Sequence, residues 1–425
     1  MTSVVTSQAE RLKSLIKASQ SLASIETQGE VLGRLMALAQ EVTGAEASSV
    51  LLYNPARQVL EFSLAENERL RDGQAGQLLK PFELALGQGL AGWVAKERQS
   101  VIVADVTADP RFYPGPDRST GFTTRCILCV PVLYNQELLG VIEVLNPKGR
   151  GCFDADDQAI LESFASLAAV AVIRSRLLAA RLERERLETQ LEAASRIQAH
   201  FRPRLPELGH GSHLYATSLP AHFVGGDLCD CLTLPDGSLV VSVADVAGKG
   251  LPAALVMAAL WAAVRSQDLG RISLPEAVSR VNESMFEMMA GEVFATMILA
   301  RYQPASGDLE LVCAGHPAPL NISPDGFAGV ATQCTVPVGV QRGTAFAATR
   351  CCILPGQSVL ILTDGVTEAR NQSGELFAEK AQAAALGRLS GPPYGPGLLQ
   401  AVMDFTAREE LCDDLTIFEV WRDPA

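Results

Sequence analysis

Apolar residues repeat at helical spacing in two segments near the start of the chain. The first segment predicts a helix within residues 1–21, because its apolar residues fall on one face. The second predicts a helix from Thr27 to Thr43, and Gly44 follows it as a C-terminal cap. The pattern therefore places two helices ahead of the first strand.

Short apolar runs separated by turn-rich pieces come next, and this pattern is typical of antiparallel strands. The runs are SSVLLY, VLEFSL, SVIVADV, CILCVPVL and LLGVIEVLN. A helix, several strands and then a long helix predict an α+β domain with an antiparallel sheet, which we assign to residues 22–176.

The segment from Ala155 to Arg202 contains no proline, and its apolar residues alternate at spacings of three and four. The other faces are almost wholly polar. This seam predicts a helical coiled coil over residues 177–202, which would join two copies of the chain in a homodimer. The alternative is a single solvated linker helix.

A second set of strand-like segments follows Pro203 and Pro206, namely LVVSVAD, FATMILARY, LELVCA, SVLILTD and LTIFEVW. Helices are predicted at about 252–266, 275–289, 378–389 and 397–410. Because strands and helices do not alternate regularly, we expect antiparallel sheets with helices packed outside them over residues 203–425. The fold class predicted for the whole chain is multidomain α+β.

Composition narrows the possible partners. The 425 residues are too many for one comfortable core, and the formal net charge of -13 argues against nucleic acid as the main partner. The longest uninterrupted apolar run, from Ala253 to Val264, is too short for a membrane span, and no signal peptide is evident.

The cysteines favour a reducing compartment. Ten are scattered along the chain, and only Cys126 and Cys129 have CxxC spacing. A zinc site would need a second pair, and these two lie in an apolar run. We therefore expect buried thiols and a cytoplasmic protein.

Four aspartates in short segments form a candidate metal site: Asp227 in VGGDLCD, Asp245 in VADVAGKG, Asp364 in LTDGVTEA and Asp413 in CDDLT. Asp245 and Asp364 stand where apolar strands end. Glycines beside Asp227 and Asp364 allow close approach of the backbone. Any one of these aspartates alone is more often part of a turn. Together they suit hard cations such as Mg²⁺ and Mn²⁺, and two such ions support phosphate ester hydrolysis.

The sequence contains none of the motifs considered for other hydrolytic mechanisms. The chain has no GxSxG elbow and no HExxH motif. The segment Gly248-Lys249-Gly250 lacks the earlier glycine and the following Ser or Thr of a P-loop. Lys249 is either a phosphate-binding group or a solvated lysine, and His316 is better explained as a structural residue than as a general acid.

The phrases GQGLAGWVAKERQSVIVADVTADPRF, CILCVPVL and GVIEVLN resemble a GAF domain over residues 22–176. The resemblance implies a sensor with a small ligand, or a purely structural role in dimerisation. Some GAF domains that bind cyclic nucleotides carry an Asn-Lys-Phe-Asp-Glu signature. Its first four members are matched by Asn146, Lys148, Phe153 and Asp157, whereas Gln158 replaces the Glu.

Residues 195–421 resemble the SpoIIE-type, RsbU-like branch of the PPM (type-2C) protein phosphatases. The matching phrases run in order from ASRIQAHFRPRLP through VGGDLCDCLTLPDGSLVVSVADVAGKGLPAALVMA, FATMILARYQPASGDLELVCAGHPAPL and PGQSVLILTDGVTEARNQSGELF to DDLT. The resemblance implies two packed β-sheets flanked by helices, with two Mn²⁺ or Mg²⁺ ions at one end.

The resemblance also assigns roles by position. Asp245 would bridge both ions, the backbone carbonyl of Val246 would add a ligand, and Asp364 and Asp413 would complete one shell. Asp227 would hold the other ion, directly or through water. The catalytic group is therefore Asp245, Asp364 and Asp413, while the role of Asp414 stays open.

The function implied is a cytoplasmic sensor–effector in which a GAF domain controls a metal-dependent phosphatase. Its substrate would be phosphoserine or phosphothreonine on a regulatory protein, commonly an anti-sigma-factor antagonist in this branch. The alternatives are a regulatory binding module that has lost activity, and a protein whose main role is nucleotide sensing by the GAF domain.

Overall fold

The computed structural model describes residues 28–67, 74–324, 326–377, 382, 384–389, 391–407 and 411–424. The helix predicted within residues 1–21 lies outside this part of the chain. The chain divides into two compact units, one ending at Glu185 and the other beginning at Arg186. Because this division falls inside one helix, the boundaries predicted at 176 and 202 stay predictions.

The first unit contains one antiparallel sheet of six strands in the order β3-β2-β1-β6-β5-β4. Its strands are β1 (Ala45–Asn54), β2 (Val59–Asn67), β3 (Glu83–Ala85), β4 (Val101–Val103), β5 (Ile127–Tyr134) and β6 (Glu137–Pro147). Its helices are α1 (Gln28–Thr43), α2 (Gln74–Leu79), α3 (Gly89–Glu97), α4 (Gly115–Thr120) and α5 (Ala155–Gln198). The predicted antiparallel α+β domain is confirmed.

Both faces of this sheet are covered. Helices α1 and α5 pack on one face, where Leu35 and Phe164 meet Val130. Helix α3 packs on the other, where Val94 meets Leu51 and Val141. The strands alternate side chains between these two cores, as the period of two along a strand requires.

Helix α5 has 44 residues and joins the two units. By length and apolar composition alone, the helical stretch Ala155–Phe201 meets the requirement for crossing a membrane. The sequence interpretation missed this stretch because it considered only uninterrupted apolar runs. Leu161, Phe164 and Val172 on this helix are buried in the core of the first unit, so part of its apolar character serves packing.

The second unit contains two five-stranded antiparallel sheets, in the orders β14-β11-β10-β9-β8 and β13-β12-β15-β16-β7. The strands are β7 (Ser212–Leu219), β8 (Leu228–Thr233), β9 (Leu239–Val246), β10 (Ala295–Tyr302), β11 (Asp308–Ala314), β12 (Leu320–Ser323), β13 (Gly326–Gly329), β14 (Ala348–Cys352), β15 (Ser358–Leu362) and β16 (Leu415–Arg422). The helices are α6 (Gly250–Arg265), α7 (Leu274–Met289), α8 (Asp364–Thr367) and α9 (Gly395–Phe405).

The two sheets pack face to face. Val241 and Val243 of β9 share a core with Phe418 and Val420 of β16. On the outer faces, β9 and β10 pack against α6 and α7, while β15 and β16 pack against α9. The predicted sandwich flanked by helices is confirmed.

The cysteines depart from the sequence prediction. Cys126 forms a disulfide with Cys152, and Cys313 forms one with Cys334. Their Cα atoms lie 5.7 Å and 4.7 Å apart, within the usual range for such bonds. The expectation of a buried thiol was wrong for Cys126, because its partner comes from a distant turn, and it holds for Cys129.

Candidate metal centre

The aspartates singled out in the sequence come together at one end of the sandwich. Asp245 lies next to the last residue of β9. Strand β15 pairs with β16 so that Leu362 lies opposite Ile417. The residues just after β15 and just before β16, which include Asp364 and Asp413, therefore meet at the same sheet edge.

The charge of Asp245 is poorly compensated. Burial, followed by the neighbouring carboxylates of Asp364, Asp413 and Asp414, raises the pKa of Asp245 to about 7. Like charges in a partly buried site disfavour the ionised form, and a bound cation would reverse this effect.

Asp227 is the most enclosed of the group. Its side chain is 8% exposed, and burial raises its pKa well above the usual range. The Thr363 hydroxyl donates to its Oδ2 atom at 2.8 Å. Its Oδ1 atom is buried and has no hydrogen-bond partner among the residues that the structure describes. A buried carboxylate oxygen without a donor fits a cation ligand, since an unmet partner is otherwise costly.

Asp364 begins the short helix α8 and is half-buried. Burial raises its pKa first, and the nearby carboxylates of Glu368 and Asp413 raise it further. Glu368 was not singled out in the sequence, although it lies one helical turn after Asp364.

Three glycines let the loops that carry these aspartates approach one another. A Cβ atom on Gly365 would collide with the backbone carbonyl oxygen of Asp414, and one on Gly225 would lie 2.5 Å from the Asp414 carboxylate. A Cβ atom on Gly226 would lie 3.1 Å from the carbonyl oxygen of Val246. The close approach expected from the sequence thus has a specific geometric reason.

Asp414 has a positioning role. Its Oδ1 atom accepts a hydrogen bond from the amide of Ala221 at 2.8 Å, and its Oδ2 atom accepts one from the amide of Gly226 at 2.5 Å. The carboxylate therefore fixes both ends of the short loop that precedes Asp227. Sequence spacing could not show this role, because the partners lie more than 185 residues apart.

We expect Asp414→Ala to weaken metal binding at this site. The substitution leaves two backbone amides without their charged acceptor, which costs about 1–3 kcal/mol for each. The loop before Asp227 would then lose its fixed position. Half-saturation of Mn²⁺ binding, measured by calorimetry, should move to at least about tenfold higher Mn²⁺ concentration.

Asp414→Asn, which keeps one acceptor oxygen, should give an intermediate shift in the Mn²⁺ titration. Asp268→Ala serves as the control, because Asp268 is an exposed aspartate in the connection between α6 and α7. An unchanged Mn²⁺ requirement in Asp414→Ala would contradict the positioning role. Urea unfolding of each variant separates a metal effect from a loss of folding.

Lys249 supplies the cation that faces this group. Its Nζ atom lies 2.8 Å from Asp413 Oδ2 and donates to the Cys412 carbonyl at 2.8 Å. This ion pair was not predicted from the sequence, and the two alternatives for Lys249, a solvated lysine and a phosphate-binding group, stay predictions. Within the described chain, no group of three or more His, Cys, Asp or Glu side chains is arranged to hold a metal ion.

The ion pair of Lys249 with Asp413 and the lack of a closed group of metal ligands within the described chain have a common cause. The carboxylate of Asp413 faces Lys249, and that of Asp414 faces backbone amides, so neither closes around a shared point. The donor set and the orphaned oxygen of Asp227 suit a hard cation. Binding by Asp413 would require it to exchange Lys249 for the ion.

His316 is buried beside this group. Its Nδ1 atom lies 2.8 Å from the Thr296 hydroxyl, and burial lowers the pKa of His316 to about 4. The imidazole is therefore neutral near pH 7, which supports the structural interpretation over that of a general acid.

The end of helix α5 contacts the loop that leads to Asp227. The Gln198 side chain donates to the Gly225 carbonyl at 2.6 Å and accepts from the Gly225 amide at 3.1 Å. This contact could not be predicted from the sequence, since Gln198 is one polar residue among many on the helix.

Two family models match the chain. Residues 26–172 match the GAF domain, and residues 235–423 match Stage II sporulation protein E (SpoIIE). The chain therefore consists of a GAF domain followed by a SpoIIE-type domain of the PPM phosphatases, as the sequence predicted.

Curated relatives share only a part of their length with this chain. One is the probable 3′,5′-cyclic phosphodiesterase pde-5 of Caenorhabditis elegans, which is 28% identical over 152 residues. That match covers 35% of this chain and 20% of the relative. The chain thus spans about a fifth of that protein.

Solved structures similar to this chain include phosphatase domains. The RsbU and RsbW domains of Rv1364c from Mycobacterium tuberculosis are 28% identical, with 52% of this chain and 63% of that chain covered and a TM-score of 0.45. The SiaA-PP2C domain of Pseudomonas aeruginosa is 19% identical, with 57% and 98% covered and a TM-score of 0.48. RsbX in complex with magnesium is 15% identical, with 52% and 99% covered and a TM-score of 0.41.

Proposed function

We propose that the C-terminal domain is a protein serine/threonine phosphatase that depends on Mn²⁺ or Mg²⁺. The observation that carries the proposal is the end of the sandwich where Asp227, Asp245, Asp364 and Asp413 meet. The pKa of Asp245 rises to about 7 there, and an oxygen of Asp227 has no donor within the described chain. Carboxylate oxygens of this kind suit two divalent ions, provided that Asp413 exchanges Lys249 for an ion.

We assign the following metal-binding roles to these residues. Asp245, Asp364 and Asp413 would hold the ions as the catalytic group, with the carbonyl of Val246 as a further ligand. Asp227 would bind through its free oxygen or through water. When bound, the ions supply positive charge that offsets charge developing on the phosphoryl oxygens and make water more acidic.

A phosphorylated protein is the proposed substrate. The side chains of Asp413 and Lys249 are 34% and 56% exposed, so both groups are accessible from solvent. Membership of the SpoIIE-type branch supports phosphoserine or phosphothreonine on an anti-sigma-factor antagonist as the target.

The GAF domain would control this activity through helix α5. The contact between Gln198 and Gly225 lies two residues before Asp227, so a shift of the helix end would move a metal ligand. Regulation would then be a change in the populations of metal-competent and metal-incompetent states. Leu177 and Leu187 on this helix are 67% and 50% exposed, which suits the coiled-coil homodimer. The dimer and the cytoplasmic location stay predictions.

The proposed function is tested by titrating Mn²⁺ and Mg²⁺ into the full-length protein. We expect hydrolysis of a phosphoserine-containing protein and of a generic phosphomonoester, with activity abolished by a chelator and restored by either metal. Activity that survives complete metal removal would contradict the dinuclear mechanism. No hydrolysis at any metal concentration, with either substrate, would favour a binding module without catalysis.

A further inference from the structure

The GAF domain contains a pocket whose chemistry is distinct from that of the metal centre. Its volume is about 460 Å³, part of which is open to solvent. Its walls combine apolar side chains with a few polar groups, and the residues that decide its chemistry are Phe62, Leu84, Phe112, Asp117, Thr124 and Glu143.

Two carboxyl groups supply the charge of this pocket. Glu143 accepts a hydrogen bond from the Ser49 hydroxyl through its Oε1 atom. Asp117 accepts from the amide and the hydroxyl of Thr124, both at 2.7 Å. Each carboxylate oxygen has two lone pairs, so both groups keep acceptor capacity for a ligand.

None of the described residues that line the pocket is Lys, Arg or His. In the same domain, Arg111 binds Asp109 at 2.7 Å and lies over the ring of Trp93. Burial, with a contribution from Asp117, raises the pKa of Glu143 to about 7. Above about pH 7 Glu143 is ionised, and a cationic ligand then meets negative charge that no Lys, Arg or His in the described lining compensates.

We propose that this pocket binds a small organic cation with a planar apolar body, whose N–H groups donate to the carboxylates of Glu143 and Asp117. The apolar walls cover the body of such a ligand, and the carboxylates orient its charged end. An amidinium or guanidinium group fits best, because its parallel N–H groups match a carboxylate in a bidentate geometry.

The same features exclude an anionic nucleotide from the pocket. A cyclic phosphate would meet two carboxyl groups and no basic side chain among the described lining residues. The residues that resemble the nucleotide-binding signature serve the domain's own structure. The Asn146 side chain accepts from the amide of Arg125 and donates to the carbonyl of Thr123, and Asp157 pairs with Arg150.

The proposal is tested by measuring ligand binding to the full-length protein at pH 8. The two readouts are calorimetry and the thermal midpoint of unfolding. The probes are benzamidine and phenethylamine as cations, with benzoate, cyclic AMP and cyclic GMP as anions. We expect benzamidine to bind and to raise the midpoint in a concentration-dependent way, while the anions do neither. This comparison needs no variant and does not depend on phosphatase activity.

Glu143→Gln keeps the side-chain size and an acceptor for Ser49 but removes the charge. It should weaken benzamidine binding at least tenfold. The matched control is Glu137→Gln, an exposed position on the same strand, which should bind benzamidine as the unaltered protein does. Failure of both cations to bind would overturn the proposal. Equal binding of benzoate, or an undiminished affinity in Glu143→Gln, would overturn it as well.

Discussion

Asp245→Asn is expected to lower the metal-dependent phosphatase activity by a factor of about 100–1,000 while making the metal-free protein more stable. The activity falls because the carboxylate at the centre of the acidic group is lost, and one charge-stabilising group is commonly worth such a factor. Asparagine has nearly the same shape, so the packing around β9 should be preserved.

The stability rises because burial and neighbouring carboxylates hold the pKa of Asp245 at about 7, above its ordinary value of 3.8. The folded protein therefore binds more protons than the unfolded chain between these two pKa values. Stability must then fall as pH rises through this window, and Asn removes that loss. Since Asp245 is partly exposed, we expect a gain on the order of 1–2 kcal/mol at pH 8.

The measurements are steady-state hydrolysis across a Mn²⁺ titration and urea unfolding in chelator. Asp268→Asn is the matched control, because Asp268 is an exposed aspartate in the connection between α6 and α7. It should leave both quantities unchanged. Full activity in Asp245→Asn would refute the assignment of Asp245. A lower stability together with lost activity would indicate misfolding instead of loss of a ligand.

The fold could be predicted from the sequence because its periodicities are local. In β9, Val241 and Val243 face the opposite sheet, while Val240 and Ala244 face the helices. A strand buried on both faces appears as a continuous apolar run bounded by turns, which is the pattern of LVVSVAD. The glycine that follows the helix Gln28–Thr43 likewise predicted correctly where this helix ends.

Pairings between distant parts of the chain could not be predicted. The aspartates at strand ends stood out, yet the ion pair of Lys249 with Asp413 and the hydrogen bond from the Ala221 amide to Asp414 join residues more than 160 positions apart. Spacing carries no information about such contacts. The same holds for Cys126, whose disulfide partner Cys152 lies 26 residues further along the chain, after β6.

The position of the boundary between the two units could not be predicted for a different reason. Helix α5 runs without interruption from the core of the first unit to the loop before Asp227, and the division at Glu185 leaves no break in its pattern. A helical period shows that a helix continues but not which unit its residues contact. The seam of leucines therefore predicted the helix correctly and left its boundaries undetermined.

Gly365→Ala is expected to impair both folding and metal-dependent activity. The added Cβ atom would collide with the carbonyl carbon and oxygen of Asp414, which are backbone atoms and cannot rotate away as a side chain could. The chain would have to separate α8 from the start of β16. Overpacking of this kind costs about 1–3 kcal/mol, and the movement would displace Asp364 from Asp413.

Gly329→Ala provides the matched control, because Gly329 is exposed in β13 and its Cβ position has no atom within 4 Å. That substitution should change stability by less than about 1 kcal/mol. Trp261 and Trp421 in the second unit allow unfolding in urea to be followed by fluorescence. If Gly365→Ala matched Gly329→Ala in both stability and Mn²⁺-dependent hydrolysis, the close approach of the two loops would not be required. A selective loss of activity and stability in Gly365→Ala would show that the glycine brings the ligands of this site together.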